Sequence, residues 1–152
     1  METFCFQGKK YINFLQDEDL PSISLSVTDD KAAETKIGEV ANPGQFTLKR
    51  TGINTDALTV SYTIDGSASN GIDYQKLENS VTFAAGSDTA IINIRSIDDQ
   101  FNEGTETVKL KLSDNSNYKI DGEKSGTVKI ADNDTSRDRD AKDLVLKVEK
   151  SG

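Results

Sequence analysis

Histidine and tryptophan are absent from the 152 residues, cysteine and methionine occur once each, and proline occurs twice. Each gap excludes something. Without histidine the chain lacks the usual general base of neutral-pH catalysis and the commonest ligand of transition metals. A lone Cys5 forms no internal disulfide and no zinc thiolate cluster. Aromatic residues make up 7% of the chain. That is too few to wall a sugar-stacking cleft, so neither a glycoside hydrolase nor a carbohydrate-binding module is expected. No apolar run reaches membrane-spanning length, and the N-terminus lacks the apolar core of a signal peptide. Membrane insertion is not expected. The cytoplasm is expected if the chain is complete, whereas a fragment of a longer protein would carry no address.

What is present is acid. Twenty-six Asp and Glu face 18 Lys and Arg, a net charge of −8. Nucleic acid and anionic membranes need a basic face, so the balance leaves cations, or proteins with basic patches, as partners. The length suits one domain, and 34% hydrophobic content suffices for one thin core.

Period-two alternation dominates the pattern. "SISLSV" puts Ile23, Leu25 and Val27 on one face, and "GQFTLKR" does the same for Phe46 and Leu48. "ALTVSYTI" alternates through Leu58, Val60, Tyr62 and Ile64, and "SVTFAAG" through Val81 and Phe83. "TAIINIRSI" is apolar on both faces in part, as a more buried strand would be. "TVKLKL" gives Val108, Leu110 and Leu112, and "GTVKIAD" gives Val128 and Ile130. Turn residues separate them: "NPG" at 42–44, "DG" at 65–66, "AGSD" at 85–88 and "DG" at 121–122. About seven short strands predict an all-β, immunoglobulin-like antiparallel β-sandwich over residues 21–134. Residues 1–20 read as an N-terminal flank or linker. In residues 135–152, "TSRDRDAKD" reads as a linker and "DLVLKV" as a further strand or the start of a following unit. A faint echo between "DED" at 17–19 and "DND" at 132–134 fits either chance or a piece of a tandem array.

The carboxylates fall at strand ends. Asp98 and Asp99 end "AIINIRSI", Glu103 and Glu106 lead into "TVKLKL", and Asp132 and Asp134 follow "GTVKI". Asp73 sits in the long connection after "LTVSYTI", and Glu34 lies between the first two strands. If these strands run the same way, all eight acids converge on one pole. At about 4 Å each like-charged pair costs roughly 1 kcal/mol in water, and more at a partly buried site. Several pairs would consume much of a stability of about 5–15 kcal/mol. Splaying into solvent or binding a cation relieves that cost. An all-oxygen donor set favours Ca²⁺ over zinc or copper, and the number of carboxylates favours it over Mg²⁺. Against this stands the ordinary use of Asp and Asn in solvated turns. No EF-hand is present: "DNDTSRDRDAKD" lacks the mid-loop glycine and the final glutamate.

Four segments together carry a resemblance: "GQFTLKRTG", "LTVSYTIDGSASNGIDY", "VTFAAGSDTAIINIRSIDDQFNEGTETVKLKL" and "GTVKIADND". They look like a Calx-beta domain, the repeat named for sodium–calcium exchangers and carried in tandem by bacterial surface proteins. The resemblance runs from about Pro21 to Asp134. It implies a β-sandwich that binds Ca²⁺ at one pole, with more than one ion. Carried over by motif, Asp98, Asp99, Glu103, Glu106, Asp73, Asp132 and Asp134 are the implied ligands. Phe101 stands where the family offers a backbone carbonyl. Glu34 takes the place of the N-terminal ligand, with Glu39 and Asp30 as alternatives. Gln100, Gly104 and Asn133 replace acids of the exchanger, which implies fewer or weaker ions.

The implied function is a non-catalytic calcium-binding module whose ion stiffens the domain and its junctions. The competing expectation is a structural or adhesive repeat with no required metal. Either reading implies an extracellular or cell-surface fragment of a larger protein, with neighbouring repeats or other proteins as partners.

Overall fold

The computed structural model describes residues 20–134. The readings made on residues 1–19 and 135–152, including the extra strand "DLVLKV" and the position of Cys5, lie outside the described residues.

Nine strands form two packed sheets among the described residues. In chain order they are β1 (Ser22–Asp29), β2 (Lys31–Ala33), β3 (Gly44–Thr51), β4 (Leu58–Asp65) and β5 (Ser80–Phe83). They continue with β6 (Thr89–Ile94), β7 (Glu106–Leu112), β8 (Lys119–Ile120) and β9 (Ser125–Ala131). One sheet has the order β2-β9-β7-β4-β5, and the other β6-β3-β1-β8. Seven of these are the strands that alternation marks. The other two, β2 and β8, are three and two residues long, too short to show a period. Both pair parallel, β2 with β9 and β8 with β1. β2 arises because the chain changes sheets after β1, where the register slips between Val27 and Asp29. A bulge there bends the strand and lets Asp30 carry the chain across.

The core lies between the sheets. Its fully enclosed side chains include Ile23, Phe46, Leu48, Val60, Tyr74, Phe83, Ile94, Val108, Leu110 and Val128. The inward set matches the expected parity in every long strand. "TAIINI" departs from expectation at Ile91, which is 50% exposed. With only two layers, the outer face of each sheet meets solvent, and Ile91 lies on that face of β6. Among the described residues no helix is long and apolar enough to cross a membrane.

Polarity of the strands sets up one pole. β6 and β1 are both antiparallel to β3. β4 and β9 are both antiparallel to β7, and β2 runs with β9. The C-terminal ends of β1, β2, β4, β6 and β9 therefore gather at one end, together with the N-terminal ends of β3 and β7. Gly66 closes the turn after β4 with φ of 113°. A Cβ there would stand 2.3 Å from the Thr107 carbonyl oxygen, so both the backbone conformation and the space demand glycine.

The opposite end is closed by Arg50, only 3% exposed. Its guanidinium donates to the carbonyls of Ser87 at 2.6 Å, Asp56 at 2.9 Å and Ala84 at 3.0 Å. It also lies 5.0 Å from the centre of the Phe83 ring, a cation–π contact. Arg50→Met should lower stability by about 2–4 kcal/mol by leaving these carbonyls unpaired. Arg50→Lys should recover little of it, because one ammonium cannot span them. Urea midpoints of the three proteins would check this.

Candidate metal centre

Each acid of the pole is placed by a strand end. Glu34 follows β2, and its N–H donates to the Ala131 carbonyl at 2.9 Å. Asp73 lies in the connection after β4, tied to the exit of β6 by Ile97 N–H on its carbonyl at 2.9 Å. Asp98 and Asp99 follow β6. Glu106 is the first residue of β7 itself, not part of the preceding loop as its position after "EGT" suggested. Asp132 and Asp134 follow β9.

The side chains meet in three overlapping groups. Glu34, Asp98 and Asp134 form one, Glu34, Asp99 and Glu103 the second, and Asp73, Glu103 and Glu106 the third. Within each group one oxygen per residue lies within 4.8 Å of the others. Glu34 and Glu103 each belong to two groups, so seven acids form one continuous chain of oxygens. The spacing has a simple meaning: two ligands on opposite sides of a calcium ion, each at about 2.4 Å, stand about 4.8 Å apart.

Asp132 belongs to none of the groups. Its Oδ2 accepts the N–H of Glu103 and that of Gly104, the latter at 2.8 Å, and its Oδ1 accepts Asp134 N–H at 2.7 Å. Partial burial pushes this carboxyl up, but those three donors outweigh it and hold it below the usual range. Asp132 thus pins the loop that carries Glu103 to the strand exit that carries Asp134. Asp99 makes a smaller turn of the same kind, accepting Phe101 N–H at 2.7 Å. Phe101 itself is 61% exposed. Of the alternatives to Glu34, Glu39 accepts Lys36 N–H at 3.0 Å, and Asp30 pairs with Lys31 at 3.5 Å.

The electrostatic strain is visible in two carboxyls. Glu34 is 7% exposed. Burial first, then the charges of Asp132, Asp99, Asp98 and Asp134, push its pKa up to about 7. Glu106 is also raised to about 7, by burial and then by Asp73 and Glu103. Burial, then like charge, raises Glu103 and Asp134 as well. The side-chain ion pairs among the described residues, Lys31–Asp30 and Lys124–Asp114, lie outside the three groups.

Three oxygens here are buried without a hydrogen-bond partner: Glu34 Oε2, Asp134 Oδ2 and Asn133 Oδ1. Such orphans normally cost about 1–3 kcal/mol each, and a cation would satisfy them. Asn133 had read as a lost charge. Instead it donates Nδ2 to Asp98 Oδ1 at 2.6 Å and leaves its own oxygen available. An amide between two aspartates in "DND" was the signal for it. Every donor of the set is oxygen, which fits a hard divalent ion.

Comparison with known proteins agrees. A family model described as the Calx-beta domain matches residues 33–134. A search of curated proteins finds no match. Among solved structures, CBD12 from CALX1.2 is similar with a TM-score of 0.57 at 24% identity, over 76% of this chain and 46% of that one. The chain therefore spans about half of that protein's length. The apo-form Calx CBD1 domain is similar with a TM-score of 0.54 at 24% identity, over 74% of this chain and 98% of that one. At such identity these structures show the fold.

The raised carboxyls set a pH dependence. Glu34 and Glu106 start from 4.5 in the unfolded chain and reach about 7 when folded. Below about 4.5 both states hold the protons, and above about 7 the folded state bears the whole cost. In chelator, stability should therefore fall as pH rises from about 5 to about 7.5. Thermal melts across that range would show it, and Glu34→Gln with Glu106→Gln should flatten the profile.

Proposed function

The chain belongs to the Calx-beta family, and from that premise we propose that its acidic pole binds Ca²⁺, more than one ion, as a non-catalytic module. The observation that carries this is the buried Glu34 carboxylate. It is shared by two acid groups and has one oxygen without a partner. Glu34, Asp98, Asp134 and the Asn133 oxygen would hold one ion, and Asp73, Glu103 and Glu106 another, with Asp99 between them. Binding only the folded state stabilises it by mass action. It would also fix Asp134 at the end of β9, and so stiffen the junction with whatever follows.

Amide and glycine in place of acid, at Gln100, Gly104 and Asn133, lower the charge of the site. Sites of lower charge bind more weakly, in the range suited to extracellular calcium. That supports an extracellular or cell-surface setting in which neighbouring repeats are the partners. The non-catalytic reading is supported by the family to which the chain belongs. The competing role, an adhesive repeat with no required metal, rests on a core made of apolar side chains between the two sheets.

Saturating Ca²⁺ should raise the melting temperature of the chelator-stripped protein by on the order of 5–15 °C. Asp98→Asn with Asp99→Asn should remove most of that rise. Calorimetric titration would count the ions. Full stability in chelator and no response to millimolar Ca²⁺ would leave the adhesive repeat as the answer.

A further inference from the structure

The five-stranded sheet turns an unusual face to solvent for a chain of net charge −8. Lys31 of β2 stands opposite Lys129 of β9, which stands opposite Thr107 of β7. In the next row Thr127 faces Lys109 and Lys109 faces Asp65 of β4. Ser125 faces Lys111, which faces Thr63, in the row after that. Thr59 of β4 and Thr82 of β5 share a hydroxyl contact of 2.9 Å further along. All four lysines are exposed. Among the described residues Lys109, Lys111 and Lys129 enter no ion pair, and Lys31 meets only Asp30. The outer face of the other sheet has Lys49, and Lys119 beside Ser22, among Ser24, Ser26, Gln45, Thr47, Thr89, Ile91 and Asn93. Four of the six strand lysines thus stand on one sheet.

Neighbours across strands are about 5 Å apart, and those along a strand or on a diagonal about 7–8 Å. Four ammonium groups therefore form one compact patch on a flat floor of hydroxyls. Two acids, Asp30 and Asp65, stand at its edges, and Asp65 Oδ1 already accepts Gly66 N–H at 2.8 Å.

We propose that this lysine–hydroxyl face binds an acidic polysaccharide, with Lys31, Lys109, Lys111 and Lys129 meeting its anionic groups and the threonines and serines its hydroxyls. The face has no aromatic ring on which bases could stack, as single-stranded nucleic acid would need. It has no helix or ribbon to enter a groove, and β7 begins at the acid pole, which would repel a densely charged duplex. No apolar side chain rises from it to enter a lipid surface. Lysines act here as point charges, so the missing aromatic platforms that argue against stacked neutral sugars do not count against charged ones. The proposal does not rest on an ion at the pole.

The test is an NMR titration of the full chain with a chondroitin sulfate oligosaccharide in chelator at low salt. Shifts should concentrate on Lys109, Lys111, Thr127 and Lys129. By analogy with phosphate contacts, the slope of log affinity against log salt should be about −3 for four lysines, and Lys109→Gln with Lys111→Gln should about halve it. The same variant should bind at least several-fold more weakly, while Lys109→Arg with Lys111→Arg keeps the binding. Circular dichroism would confirm that the variants fold. The proposal fails if shifts fall elsewhere, or if replacing all four lysines by glutamine leaves affinity unchanged. It fails equally if a short DNA duplex or an acidic peptide competes on equal terms.

Discussion

Repulsion among carboxylates held at one end of the sandwich is the constraint on which the rest depends. The backbone sets their positions before any ion arrives. Five strands end there and two begin, so the fold's polarity forces acids that are distant in sequence into one place. Asp98 and Glu103 sit on exposed loops and can lean into solvent. Glu34 cannot, because its backbone is tied to Ala131 and its side chain is enclosed. Its displaced pKa and unpaired oxygen are two expressions of one fact. A carboxylate is costly where water does not reach it, and a bound cation would relieve that cost without giving up the geometry.

Asp132 shows that the acids are not equivalent. A carboxylate that takes three backbone N–H groups is satisfied as an anion and acts as a clasp. It joins the β6–β7 loop to the exit of β9, and so aligns Glu103 with Asp134. The removal of Asp132 would act on the metal centre through loop position more than through a lost ligand. Asn133 has the reverse character. It adds no charge, yet it both steadies Asp98 and offers an oxygen. Counting acids alone would rank these two residues in the wrong order of importance to the ion.

Much of this was legible in the residues and some was not, for identifiable reasons. Long strands declare themselves by parity, because burial of one face writes a period of two into eight residues such as "GQFTLKRT". Two or three residues hold no period, so β2 and β8 had to wait for their parallel partners. Ile91 stands among apolar neighbours, but whether a third layer covers the outer face of its sheet is a property of the whole fold, and none does among the described residues. The convergence of the acids could be read from strand ends and a guess at polarity. The hydrogen bonds that separate Asp132 from the other acids could not, since they depend on where the Glu103 and Gly104 amides point. The lysine face was half visible: "TVKLKL" already puts Lys109 and Lys111 on one side, but only the parallel pairing of β2 sets Lys31 beside Lys129.

Charge is also sorted along single strands. β7 starts with Glu106 at the pole and carries Lys109 and Lys111 outward along its length, and β9 carries Lys129 before Asp132. Three residues of strand separate Lys129 from Asp132, about 10 Å. The screening length at physiological salt is about 8 Å. The lysines therefore stand just beyond the strongest field of the pole, close enough to feel it at low salt and largely free of it at physiological salt. An ion bound at the pole would cancel part of that negative field, so any anion on the lysine face would be held more tightly when the pole is loaded. Screening keeps this coupling small. A single sandwich can thus offer surfaces of opposite sign that work almost independently in salt, although they are built on the same two strands.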